Sequence, residues 1–305
     1  MKAFASICLL AAALWPLIVA AGACTGHGVE VQVLGSGGPE LEDRRASSSY
    51  LIWQDHIPRV LIDAGSGSAL NFGLSGARVE QLDLMLFTHL HVDHSADFAG
   101  LIKSSYFESR DRPLPVYGPA AGGDFPSMVE FVADLFGPRG AYRYLTRFIA
   151  GQEGGYLLQP HNVTAAARDP KMVYRSSGVT ASATAVVHGQ VPALAWRVDL
   201  AGRSIVFSGD TNGDNGHLER LVQNADVFVA HNAVPEGSVG VIRRLHMPPS
   251  VIGRIARAGN VKMLVLSHRM LRTLGQERTT LQAIAGEYSG PVVFADDLDC
   301  FQGVH

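Results

Sequence analysis

The sequence predicts an α/β protein, a sandwich of sheets with helices on the outside. Three observations carry that expectation. Apolar residues fill 47% of the 305 positions and charged ones only 17%, which is enough to build a large core and excludes a disordered chain. Strand-like and helix-like runs alternate along the chain. The alternation comes as two successive sets, the pattern of sheets packed face to face beneath helical layers.

Residues 1–23 read as an export signal ahead of one domain over 24–305. Lys2 is the positive end, Phe4 to Ala20 is almost wholly apolar, and Ala20-Ala21-Gly22-Ala23 offers small residues for cleavage. The expected location is therefore exported, periplasmic or secreted. Two alternatives stand beside it: an uncleaved anchor, and a lipoprotein with lipid on Cys24. Cys24 and Cys300 can pair only if the two ends of the domain meet, and a lipid on Cys24 would forbid it. Three cysteines in all exclude a disulfide scaffold and a cysteine-rich zinc module.

Strands are expected at 29–34, 49–53 and 59–62, closed by the glycine-rich turns Gly35-Ser36-Gly37-Gly38 and Gly65-Ser66-Gly67. The apolar run 82–88 should be a buried strand. A helix is expected over 98–107 and a strand over 114–117. Residues 120–175 are less regular, with a helix at 128–136, and read either as a cap over a site or as peripheral packing. The second half repeats the alternation. Its strands are expected at 179–187, 194–200, 204–208, 227–230, 263–267 and 292–295. Its helices are expected at 217–223, 250–258 and 279–287. No run after the first is long enough to span a bilayer.

Twelve histidines is a surplus for this length. Thr88-His89-Leu90-His91-Val92-Asp93-His94 begins where the apolar strand runs out. In an extended segment, His89, His91 and Asp93 would share a face, and a turn would bring His94 alongside. Three further candidates also end expected strands: His188, Asp210 and His268. Any one alone is an ordinary core or surface residue; together they are a site assembled by the fold. Imidazole and carboxylate without thiolate suit zinc, with iron or manganese as alternatives.

These residues resemble the signature H-x-H-x-D-H of the metallo-β-lactamase fold superfamily. Within it, the chain is most similar to the ribonuclease Z and arylsulfatase-like branch. Supporting stretches are Val33-Leu34-Gly35-Ser36-Gly37-Gly38-Pro39, Ser48-Ser49-Tyr50-Leu51-Ile52, Leu61-Ile62-Asp63-Ala64-Gly65 and Phe207-Ser208-Gly209-Asp210-Thr211. The resemblance implies a four-layer αβ/βα sandwich and two zinc ions. His89, His91 and His188 would hold one ion and Asp93, His94 and His268 the other, with Asp210 bridging both. It implies a bridging hydroxide that attacks an ester, with Asp93 orienting the nucleophile's proton. Asp63 is similar to a family position that hydrogen-bonds a ligand histidine, or is simply a turn-former before Gly65.

The chain departs from ribonuclease Z after the bridging aspartate. A His-Glu-Ala-Thr stretch there is replaced by His231-Asn232-Ala233-Val234, and the later histidine is His246. Asn232 cannot act as a carboxylate. His246 is a candidate proton donor or substrate contact, or an exposed helix-start residue. His231 is expected only to point into the sheet. Arg243, Arg244 and Arg269 are candidate anion contacts or solvated surface. A net charge of −3 and the lack of a basic, glycine-rich arm lead to the expectation of a small-molecule ester substrate, a phosphodiester, sulfate ester or lactone, and of no nucleic acid. A homodimer is compatible with this reading. The alternatives are a β-lactam hydrolase and a non-catalytic metal- or ligand-binding module.

Overall fold

Short apolar runs bounded by turns become strands, and here they form two seven-stranded sheets. The structure is a computed structural model that describes residues 24, 26–151, 156–164 and 169–303. The first sheet contains β1 (Val29–Gly35), β2 (Ser49–Gln54), β3 (Ile57–Ile62), β4 (Leu84–Leu86), β5 (Leu114–Pro119) and β6 (Leu158–Val163). The second contains β7 (Lys171–Ser176), β8 (Val179–His188), β9 (Val191–Leu200), β10 (Arg203–Phe207), β11 (Val227–His231), β12 (Met263–Ser267) and β13 (Val292–Phe294). The chain then returns to the first sheet, where β14 (Cys300–Gln302) pairs antiparallel with β1.

Both sheets are mixed. β3 to β6 run parallel, as do β10 to β13, while hairpins supply the antiparallel strands. Alternation within the strands sorts side chains into layers. Val31, Val33, Tyr50, Ile62, Leu86, Trp196, Phe207 and Val265 meet between the sheets. The opposite faces bury Leu51, Met85 and Val116 on one side and Phe228, Ala230 and Leu264 on the other.

Helices cover those outer faces. On the first sheet lie α1 (Ser68–Leu74), the one-turn α2 (Val92–Ser95), α3 (Phe98–Ser104), α4 (Met128–Phe136) and α5 (Arg147–Ala150). α6 (Leu218–Leu221), α7 (Gly240–Leu245), α8 (Pro249–Ala258) and α9 (Glu277–Ala285) belong to the second half. The result is the four-layer αβ/βα sandwich. α4 starts cleanly because Ser127 and Glu130 form a reciprocal capping box.

Several expectations need correction. Asp93 is not on an extended segment: His91 has an extended backbone and caps α2, so Asp93 joins the expected turn at His94, and that turn is helical. The buried strand before them spans only Leu84–Leu86. Cys24 is bonded to Cys300, so the two ends of the domain meet. The expected export signal, 1–23, lies outside the described residues.

Trp196 ties the two sheets together beside the functional edge. Its fully buried indole donates from Nε1 to the Phe87 carbonyl at 3.0 Å. Trp196→Phe strands that carbonyl and leaves a small void, at an expected cost of about 2–4 kcal/mol. Urea unfolding under non-reducing conditions measures it; a shift below about 0.5 kcal/mol, the size of a surface change, would contradict the assignment.

Candidate metal centre

Strand direction gathers the site. β8 and β10 both run antiparallel to β9, so β8, β10, β11 and β12 all point the same way. His188, Asp210, His231 and His268 therefore emerge at one edge of the second sheet. In the first sheet the parallel strands β3 and β4 deliver Asp63 and the His89–His94 segment to the facing edge.

Tight turns aim these side chains. Asp63 and His268 take left-handed backbone conformations, with φ of 56° and 51°. Gly209 is also left-handed, and a Cβ there would lie 2.9 Å from both the Leu194 carbonyl oxygen and Thr88 Cβ. Only glycine lets Asp210 approach the Thr88 segment so closely. At Gly65 a Cβ would lie 2.2 Å from the Asp93 carbonyl oxygen, so this turn must be bare as well.

Asp210 stands at the centre. Its Oδ1 lies 2.7 Å from His231 Nδ1, 3.4 Å from His268 Nε2 and 3.9 Å from His94 Nε2. Its Oδ2 lies 3.6 Å from His188 Nε2 and 3.8 Å from His246 Nδ1. Asp93 Oδ2 faces His268 Nε2 at 3.3 Å and His94 Nε2 at 3.7 Å. His89 Nε2 meets His91 Nδ1 at 3.0 Å, and His89, His91 and His188 form a compact trio. Phe125, from the loop before α4, sets its ring edge-on to His91 at 5.4 Å between centroids.

A layer of hydrogen bonds holds the inner groups. Asp63 accepts from the Thr88 amide at 2.7 Å, from the Thr88 hydroxyl at 2.8 Å and from His94 Nδ1 at 2.8 Å. This leaves His94 Nε2 facing inward. His188 Nδ1 donates to the Leu245 carbonyl at 3.0 Å, which likewise turns its Nε2 toward Asp210. A carboxylate only accepts, so His231 carries its proton on Nδ1, and its Nε2 contacts the Tyr50 hydroxyl at 3.0 Å.

Burial and charge compete at every group. Burial would raise the Asp210 carboxyl, yet His268, His246 and the hydrogen bond from His231 hold it well below the usual range. Asp93, opposed by burial in the same way, is brought down to about 2 by His94 and His268. Burial works against the charge on His94, but Asp63, Asp93 and Asp210 outweigh it and raise that imidazole to about 9. Burial wins at His231 and His246, pushed to about 3 and about 4, and at His89, pushed far down.

The donor set fits metal ions. His94 Nε2 is fully buried without a hydrogen-bond partner. His268 Nε2 is likewise unpartnered, and the inward nitrogens and oxygens stand 3.3 to 3.9 Å apart. Those separations are close to the ~3.4 Å expected between two atoms each ~2.1 Å from one tetrahedral ion. Asp210 contributes to both sides of the cluster.

Thus the structure brings together His89, His91, Asp93, His94, His188, Asp210 and His268, with Asp63 behind them and His246 beside Asp210. His231 is the residue whose place differs from expectation, since it touches Asp210 directly. Its signal was available: it continues the inward-facing series Val227, Val229 on a strand adjacent to the one that Asp210 follows. Two arginines are committed elsewhere, Arg243 to Asp214 and Arg269 to Glu277, while Arg244 lies exposed.

A family model described as a beta-lactamase superfamily domain matches residues 58–269. A ribonuclease Z of Mycobacterium bovis (strain BCG / Pasteur 1173P2) is 27% identical over 283 residues, covering 88% of this chain and 96% of that protein. The metallo-beta-lactamase fold protein YhfI from Bacillus subtilis superposes with a TM-score of 0.70 at 21% identity, covering 90% of this chain and 99% of its own. The short form of human tRNase Z gives 0.69 at 18% identity, covering 90% and 100%. These relatives overturn the exclusion of nucleic acid. Ribonucleases share this chain's length and fold, so a mildly acidic net charge does not separate it from proteins acting on RNA. The chain is a member of the beta-lactamase superfamily, built on the metallo-β-lactamase fold.

Proposed function

We propose that the protein is a dinuclear metal-dependent phosphodiesterase with two zinc ions as its cofactors. The observation that carries this reading is the position of Asp210, one carboxylate reaching the imidazoles of both sheets. His89, His91 and His188 would hold one ion and Asp93, His94 and His268 the other, with Asp210 shared between them. Bound there, the two cations would activate water at neutral pH and offset charge building on the phosphate. A phosphodiester is preferred over a sulfate ester or lactone because the relatives bear the name ribonuclease.

The chain's own groups divide the remaining work. Asp93, ionised at neutral pH, can accept a hydrogen bond from the attacking water and so orient its proton. His231, neutral and donating from Nδ1, holds the Asp210 carboxylate in one orientation. His246 is neutral as well and can only hydrogen-bond the leaving oxygen. Asn232 brings it no charge that would make it a stronger base. Good leaving groups should therefore be favoured. The Cys24–Cys300 disulfide supports work in an oxidising compartment and hence export.

Purified protein should carry two zinc ions per chain by elemental analysis and hydrolyse bis(p-nitrophenyl) phosphate. Turnover should stop with a chelator and return with zinc; absence of metal together with chelator-insensitive turnover would overturn the proposal. His246→Ala should retain metal while losing roughly 3- to 10-fold in turnover, the size of one hydrogen bond to the leaving oxygen. Asp63→Asn should weaken zinc binding by roughly 10- to 100-fold in a chelator competition, and unchanged affinity would remove its orienting role. Because His94 is raised to about 9, it is protonated at pH 7.5 in the metal-free protein. Zinc uptake must displace its Nε2 proton, so a pH-stat should record acid release, and none would count against His94 as a ligand.

A further inference from the structure

Arg243 and Arg269 end on carboxylates, and Arg272 does not. Its Nε donates to the Ala233 carbonyl at 2.6 Å and its Nη2 lies 2.8 Å from Met270 Sδ, both neutral acceptors. Among the described residues no carboxylate lies within ion-pair distance of it. The side chain is half-buried.

The loop that carries it is fixed. Thr273 donates its amide and hydroxyl to the Met270 carbonyl at 2.7 and 2.9 Å, and the Leu271 amide donates to Glu40 Oε2 at 2.6 Å. Met270 packs beside the His268 ring, since a Cβ on Gly38 would touch both at 3.2 and 2.9 Å. Ala233, the anchor of the guanidinium, is two residues beyond His231. Its neighbour Asn232 is fully buried with neither end of the carboxamide hydrogen-bonded. The guanidinium thus sits on the flank of the cluster that carries His231 and His268.

We propose that Arg272 forms an anion subsite beside the metal centre that takes a second phosphate of the substrate. This rests on the phosphodiesterase reading above. The scissile phosphate does not need Arg272: Asp93 and Asp210 bring two negative charges against the four of two divalent cations, so the centre keeps positive charge for it. A pinned guanidinium with neutral partners is instead ready for one further oxyanion, which its planar fork can hold by charge-assisted hydrogen bonds. Substrates with one isolated phosphodiester would leave this subsite unused, whereas nucleotide-like diesters bearing another phosphate would fill it.

The test is equilibrium binding to the zinc-loaded protein, comparing adenosine 3′,5′-bisphosphate with the 3′- and 5′-monophosphates. The bisphosphate should bind at least about tenfold more tightly than either monophosphate, the size of one charge-assisted contact. Arg272→Gln should reduce that ratio to within about twofold, and Arg272→Lys should restore part of it. A wild-type ratio near one, or a ratio unchanged in Arg272→Gln, overturns the subsite. The wild-type ratio decides even if the glutamine variant folds poorly. A bisphosphate preference without turnover of bis(p-nitrophenyl) phosphate would remove the phosphodiesterase reading and keep the subsite; turnover without the preference removes the subsite alone.

Discussion

A carboxylate buried as deeply as Asp210 stays ionised only if positive charge is brought to it. Much of the functional edge serves that requirement. Three strands of the second sheet end in imidazoles that face Asp210, and the first sheet adds His94 across the gap. Without such neighbours burial would neutralise the acid, and a neutral acid is a poor ligand. Burial, helped by neighbouring imidazoles, drives His89, His231 and His246 neutral, while the carboxylates let His94 and His268 keep their protons longer. The resulting mixture of charged and neutral donors is what a pair of divalent cations can replace.

The two sheets act as separate mounts for this arrangement. One carries the local His-x-His-x-Asp-His segment, steadied by Asp63 through both the backbone and the hydroxyl of Thr88. The other supplies Asp210 and three widely spaced histidines. Their relative position depends on the packed layer between the sheets and on the Trp196 to Phe87 hydrogen bond at its edge. Relaxing that layer would separate Asp210 from His94 without disturbing either mount.

The residues that were legible share a physical trait. Met263–Ser267 and Met128–Phe136 match their expected bounds because each is a continuous apolar or amphipathic run with a clear stop. The ligand-type residues were legible because each ends such a run. Strands β6, β7 and β14 went unread: β6 contains Gln159, Pro160, His161 and Asn162, and β7 is largely exposed, as edge strands are. α7 buries none of its residues, so it carries no apolar stripe. The helical turn at Asp93 and His94 could not be told from an extended end, because four residues are shorter than a helical repeat needs. His231 required the order of neighbouring strands, and its nearness to Asp210 follows from the parallel pairing of β10 and β11. The acidic balance was over-read, since total charge says little about one edge of a fold.

The Cys24–Cys300 bond has a consequence beyond the compartment it suggests. The two cysteines are 276 positions apart, and β14 lies against β1. The bridge therefore turns nearly the whole domain into one covalent ring. A single proteolytic cut in any surface loop inside that ring opens it without releasing a fragment. The two halves of the site, which lie on opposite sides of many such loops, would stay tethered to each other after the cut.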